Sequence, residues 1–183
     1  MIPGITGGIL LIFILWIIIT YNRFVKGRNL LREAWSGIDV QLKRRYDLIP
    51  GLVGTVKAYS RHEKSLFEEI ANLRSRCMIT EEPAEKAKAE SILTDGIRRL
   101  FAVAEAYPQL RASENFLDLQ KNLAEIEDQI QLARRYYNGN VRDFNTLAEQ
   151  FPPVIIARLF SFKSSEFFEI ETVTERQNPP LNL

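Results

Sequence analysis

The sequence predicts an all-α protein, with an N-terminal membrane-spanning helix continuous with a long helix, in an antiparallel bundle of three long helices plus a short C-terminal helix. Three observations lead there: an uncharged apolar run over residues 5–21, apolar residues recurring beyond it at helical spacing, and no strand-like alternation anywhere.

The apolar run reads ITGGILLIFILWIIITY, and no charged side chain precedes Arg23. That is about the length a bilayer demands. Its Ile, Leu and Phe residues each favour insertion by about 0.3 to 0.6 kcal/mol, so together they outweigh the glycines and threonines. A core helix apolar on every side would need an equally apolar surround, which the charged remainder does not supply. A cleaved signal peptide would carry a basic leader and a small-residue cleavage site, and Met1-Ile2-Pro3-Gly4 begins neither pattern. Arg23, Lys26, Arg28 and Arg32 follow the run immediately. By the positive-inside rule the N-terminus is then outside and the C-terminal domain cytoplasmic, with the chain single-pass.

Apolar and aromatic residues then recur at Leu31, Trp35, Ile38, Leu42, Tyr46, Ile49, Val53, Val56, Tyr59, Leu66, Ile70, Leu73 and Cys77, in steps of three, four or seven. One long helix to about Met78 is implied, interrupted by Pro50, which removes a backbone hydrogen bond and favours a kink. Thr80-Glu81-Glu82-Pro83 supplies a stop and a new start for a second helix to about Tyr107. Pro108 ends it, and Ser113-Glu114 reads as the cap and acidic first turn of a third. That helix has the cleanest pattern: Phe116, Leu119, Leu123, Ile126, Ile130, Ala133 and Tyr137 alternate steps of three and four, a coiled-coil-like seam. Past Tyr137 the stripe shifts by one residue through Val141, Phe144 and Ala148, and Phe151-Pro152-Pro153 ends it. The domains expected are an anchor over 1–22, a cytoplasmic helical bundle over 23–170 and a disordered polar tail over 171–183.

Composition narrows function by exclusion. Lys plus Arg (24) nearly equals Asp plus Glu (23), so the basic surplus of a nucleic-acid binder is missing. The sole cysteine, Cys77, and sole histidine, His62, rule out an internal disulfide framework and a Cys/His zinc site. Cys77 falls on the apolar stripe and reads as packing, His62 as a surface residue. Glu125, Glu127 and Asp128 flank the seam of the third helix among Lys121, Arg134 and Arg135 and read as a solvated charged face. Lys43-Arg44-Arg45 reads as another solvated face or as a site for a partner's acidic surface. On a straight helix Arg45 stands roughly 35 Å beyond the span, too far for lipid headgroups. No catalytic residue, cofactor or metal is expected.

The stretch Ala34-Trp35-Ser36-Gly37-Ile38-Asp39-Val40-Gln41-Leu42-Lys43-Arg44-Arg45-Tyr46-Asp47-Leu48-Ile49-Pro50 resembles the signature of the LemA family. In family order there follow Val56-Lys57-Ala58-Tyr59 with His62-Glu63, Ala102-Val103-Ala104-Glu105-Ala106-Tyr107-Pro108, and Asn115-Phe116 with Leu119-Gln120. Ala133-Arg134-Arg135 with Tyr137-Asn138, Phe151-Pro152, Ile156-Ala157 and Phe167-Phe168-Glu169 complete the match. Gly51, Gly54 and Phe144 depart from it, where Asn, an acid and Tyr are usual. The resemblance implies a bacterial inner-membrane protein with an N-terminal anchor and a cytoplasmic LemA-like helical bundle. It implies no enzymatic activity, and similar members occur among proteins that organise magnetosome membranes.

Two surfaces are expected to carry function. A first helix reaching Met78 would be about 85 Å long, while a second helix of about 25 residues returns along only about 37 Å of it. The stripe Leu31, Trp35, Ile38, Leu42, Tyr46 and Ile49 is thus expected to lie bare and to pair copies into a homo-oligomer, unless a bend at Pro50 or the Phe-rich segment covers it. The second surface is that Phe-rich segment: Phe151, Phe160, Phe162, Phe167 and Phe168. Helices running out, back and out would leave it far from the bilayer, as a distal cap or partner segment, with a membrane-seeking amphipathic segment as the rival reading. The function these readings favour is a non-catalytic scaffold, anchored in membrane lipid, that self-associates and organises a membrane patch. The alternative is an adaptor or regulator of another membrane protein, such as a protease or signalling component.

Overall fold

Helix α1 runs unbroken from Ile2 to Tyr59, 58 residues or about 87 Å. The computed structural model describes residues 2–60 and 62–169, with side chains from Thr6 onward. The expected tail over 171–183 lies outside the described residues. After α1 come α2 (Lys64–Ile79), α3 (Pro83–Glu105), α4 (Pro108–Arg111), α5 (Glu114–Glu149) and α6 (Val154–Leu159). No strand occurs among the described residues, so the all-α fold is as the periodicity predicts. Pro83 opens α3 in its first turn, and α5 begins with an acidic residue, Glu114, both as the stop and start signals indicate.

The first helix is the main correction. It does not continue to Met78 but ends at Tyr59, and the residues carrying the stripe from Leu66 to Cys77 form the separate helix α2. Leu66, Phe67, Ile70 and Cys77 are buried on α2, burial that a lone extended rod would not give them. Tertiary packing of an apolar face, more than propensity, decides where such a helix turns. The turn contains neither Gly nor Pro, which is why the sequence does not announce it.

Contacts divide the chain into two compact units, one of residues 1–37 with 135–166 and the other of 38–134 with 167–183. In the second unit α2 lies antiparallel to α1, and Arg74 on α2 reaches the backbone of Tyr46. Next, α3 runs antiparallel to α2: Gly96 sits close against Ile70 and Leu73, and Arg99 pairs with Glu69 at 2.5 Å. Leu119 of α5 lies beside Gly51, and Phe116 packs on Phe101. Pro50 does not stop α1. Lacking an N–H, it leaves the Tyr46 carbonyl without its helical donor, and Arg74 fills the gap by donating Nε–H to that oxygen at 2.7 Å.

In the first unit α5 again runs antiparallel to α1. Tyr137 packs on Trp35 with ring centroids 5.3 Å apart, and Phe144 meets Phe24 edge to face at 5.9 Å. Gly27 makes this approach possible, since a Cβ there would stand 2.9 Å from the Phe144 ring. Within this unit the end of α5 lies beside the part of α1 that follows the apolar run and not, as expected, far from it. Beyond α6 the chain is tied to α5. Asn145 donates to the Ser165 carbonyl at 2.9 Å and accepts from the Ser165 N–H at 2.8 Å, while the Tyr137 hydroxyl donates to the Glu166 carbonyl at 3.0 Å.

Candidate functional site

The stripe expected to lie bare is core. Leu31, Ile38, Leu42, Tyr46 and Ile49 are buried, and Trp35 is half-buried against Tyr137. In one unit α2 packs along α1, and in the other the return of α5 covers Trp35, so the stripe is buried within one chain. The basic triplet is also divided. Lys43 and Arg44 are exposed, but Arg45 is 1% exposed and its carboxylate partner, Glu90 on α3, is 0% exposed.

Around Arg45 the second unit builds its densest polar chemistry. Nη1 donates to Glu90 Oε2 at 3.0 Å, and Nη2 donates to the Thr94 hydroxyl at 2.8 Å, which itself donates to the Glu90 carbonyl one turn back. Glu127 on α5 brings Oε1 to 3.0 Å from Nε, off the line of a proper hydrogen bond. The Tyr46 hydroxyl donates to the other Glu90 oxygen. One guanidinium thereby joins α1, α3 and α5, and Cys77 of α2 stands against the same carboxylate. Nearby, Lys86 of α3 is buried and donates to Asp39 of α1 at 3.3 Å, with Lys43 on the other Asp39 oxygen at 3.0 Å.

Environment fixes the protonation states. Burial, reinforced by the Glu90 charge, pushes the Tyr46 hydroxyl far up, so it stays a donor. The same two causes push the Cys77 thiol up to about 12, which keeps it a thiol and a poor nucleophile. Burial raises Glu127 in spite of Arg45. Burial also works against the Asp39 carboxylate, but hydrogen bonds from Lys43 and Lys86 outweigh it and hold Asp39 below the usual range. One guanidinium contacting carboxylates from two other helices ties those helices together at one level; a buried pair adds little net stability, but removing one partner strands a charge and is strongly destabilising. Among the described residues no group of three or more His, Cys, Asp and Glu is placed to hold a metal.

Sequence reasoning missed the cluster because it read Arg45 and Glu127 as parts of solvated faces and did not single out Glu90. A signal was present. Arg45 lies three residues after Leu42 and four before Ile49, and Glu90 three after Ala87 and three before Leu93, so opposite charges occupy seam positions on two helices. Cys77 is buried and His62 exposed, as read.

The Phe-rich segment is likewise relocated. Instead of capping a distal end, Phe160 and Phe162 flank Tyr21, at the end of the apolar run, with ring centroids 4.8 Å and 5.8 Å away. Phe162 also stacks on Phe24 at 4.7 Å, with the Arg28 guanidinium 5.5 Å over its ring. In the other unit Phe168 is buried and Phe167 exposed. Phe151 is exposed.

Fold and site together define a helical bundle, locked by internal ion pairs, whose first helix is long and apolar enough near its N-terminus to cross a membrane. The chain belongs to the LemA family, whose model matches residues 34–182. It is similar to magnetosome protein MamQ of Magnetospirillum gryphiswaldense, 22% identical over 87% of this chain and 68% of that protein. It is similar as well to protein LemA of Metamycoplasma hominis, 25% identical over 90% of this chain and 78% of that one.

Proposed function

We propose that this protein is a non-catalytic scaffold, anchored in a bacterial inner membrane by residues 1–22 and presenting its helical bundle to the cytoplasm. The observation that carries the reading is the continuity of α1, which passes without a break from a bilayer-length apolar run into the centre of the bundle. The apolar run therefore leads directly into the helix that carries the buried stripe. Arg45 and Glu90, both almost fully buried, are spent inside the fold on each other. Similarity to a magnetosome protein supports an organising role. Basic residues from Arg23 to Arg32 directly after the run support the cytoplasmic orientation.

The burial of the Leu31 to Ile49 stripe favours a second reading, because it removes the surface that like-with-like pairing would have used. Under that reading the bundle is an adaptor for another membrane protein. Crosslinking in native membranes followed by gentle solubilisation and mass spectrometry separates the two. Homo-oligomers support the scaffold, a stoichiometric foreign protein supports the adaptor, and a monomer with neither refutes both.

A further inference from the structure

The short helix α6 has two apolar sides. Ile156 and Ala157 are buried, whereas Ile155 is 51% and Leu159 70% exposed, one turn apart; Phe151 before the helix is 81% and Phe160 after it 47% exposed. Four large apolar side chains are thus exposed within ten residues of sequence, a concentration that marks an interaction site more often than bare solvent-facing surface.

The position of the patch identifies what it meets. Past α6 the chain closes in a tight helix stop: the Phe162 N–H bonds the Ala157 carbonyl at 2.9 Å and the Ser161 N–H the Arg158 carbonyl at 3.4 Å, with Ser161 in the left-handed conformation at φ 57°. This is the Schellman pattern. It turns the chain so that Phe160 and Phe162 both reach Tyr21. Tyr21 ends the apolar run, and Arg23 begins the charged sequence, so its ring falls where interfacial aromatics sit. Exposed Arg23, Lys26 and Arg28 follow on α1, and exposed Arg158 and Lys163 belong to the α6 segment, a set of cations suited to anionic headgroups.

We propose that α6 and the turn before it form a second membrane contact, an interfacial element that lays Phe151, Ile155, Leu159 and Phe160 against lipid beside the end of the span. The inference rests on the anchoring proposed above. The element would hold α1 and the returning α5 at a fixed depth, so that the bundle is gripped at the bilayer by two elements of its chain.

The test uses the full chain with Cys77→Ser, reconstituted into vesicles of zwitterionic and anionic phospholipid. A polarity-sensitive fluorophore is attached at single cysteines, Leu159→Cys and Phe151→Cys, and folding is checked by circular dichroism. Leu15→Cys reports on the span. Lys57→Cys, about 54 Å beyond Tyr21 along the same helix, sets the aqueous baseline. Lipids carrying a nitroxide quencher, near the headgroup in one set of vesicles and deep on the acyl chain in another, are then introduced. Quenching at Leu159 and Phe151 of about twofold or more over the Lys57 baseline is expected, as for side chains in the headgroup and acyl boundary. Quenching at Leu15 with none at Leu159 and Phe151 overturns the inference and leaves the anchor standing. No quenching at Leu15 overturns the anchor as well. A fluorophore at Leu159 that is blue-shifted but untouched by the lipid quencher marks a second copy or another protein on the patch, and also overturns it.

Discussion

Removing the guanidinium of Arg74 tests how α1 passes through Pro50. The Tyr46 carbonyl lacks its helical donor because Pro50 has no N–H, and the Arg74 Nε–H at 2.7 Å stands in. Arg74→Met keeps an apolar stem but withdraws a charged donor from a part-buried oxygen, a loss of about 1.5 to 3 kcal/mol. Pro50→Ala supplies the missing N–H from within the helix, and since Pro50 is exposed the exchange leaves no cavity. In that background Arg74→Met should cost less than half as much, a coupling of about 1 to 2 kcal/mol. Thermal unfolding of the four full-length forms in mild detergent, followed by far-ultraviolet circular dichroism, reads the cycle. The single Arg74→Met change should lower Tm by about 3 to 10 °C at this chain length. Equal losses from Arg74→Met with and without the Pro50→Ala exchange would refute the reasoning.

Gly27→Ala should destabilise the protein by about 0.5 to 2 kcal/mol, because the clash with a buried Phe144 ring at 2.9 Å exceeds the gain in helix propensity. Gly37→Ala, with nothing within 4 Å of the new Cβ, should stabilise it by about 0.5 to 1 kcal/mol; the same thermal assay should give opposite signs. Glu90→Ala leaves the Arg45 charge buried and unpaired and should cost about 3 to 5 kcal/mol, whereas Arg45→Met with Glu90→Leu should recover at least half of that; a double variant as unstable as the two losses summed would contradict the lock. Asp39 is held below its ordinary value of 3.8, so its contribution is present above that value and lost as pH falls through the lower folded one. Asp39→Asn should therefore weaken stability at neutral pH and flatten its decline below about pH 4. Cys77, buried and with its thiol pushed up to about 12, should resist alkylation at pH 8 in the native protein and react on unfolding, measured by mass.

The helical class, the apolar run and the buried faces are all legible in the residue pattern alone. Phe116, Leu123, Ile126, Ile130 and Tyr137 recur at the spacing of one helix face and are buried on α5, because a 3.6-residue repeat puts them there whatever the partner. Leu31 to Ile49 were legible as one apolar stripe for the same reason. Periodicity names a face but not what covers it. The seven-residue step from Tyr59 to Leu66 keeps phase across the break between α1 and α2, so a hairpin and a straight rod leave the same pattern in the sequence. The turn was decided by tertiary packing, where burying α2 against α1 outweighs continuing the helix. Tertiary packing likewise set Phe160 against Tyr21 instead of at a far end. The α1–α2 turn and the packing of α3 and α5 also brought Glu90 and Glu127 to Arg45, since opposite charges on separate helices become an internal pair only when the helices meet, with direct contact at 3.0 Å offsetting part of the loss of water.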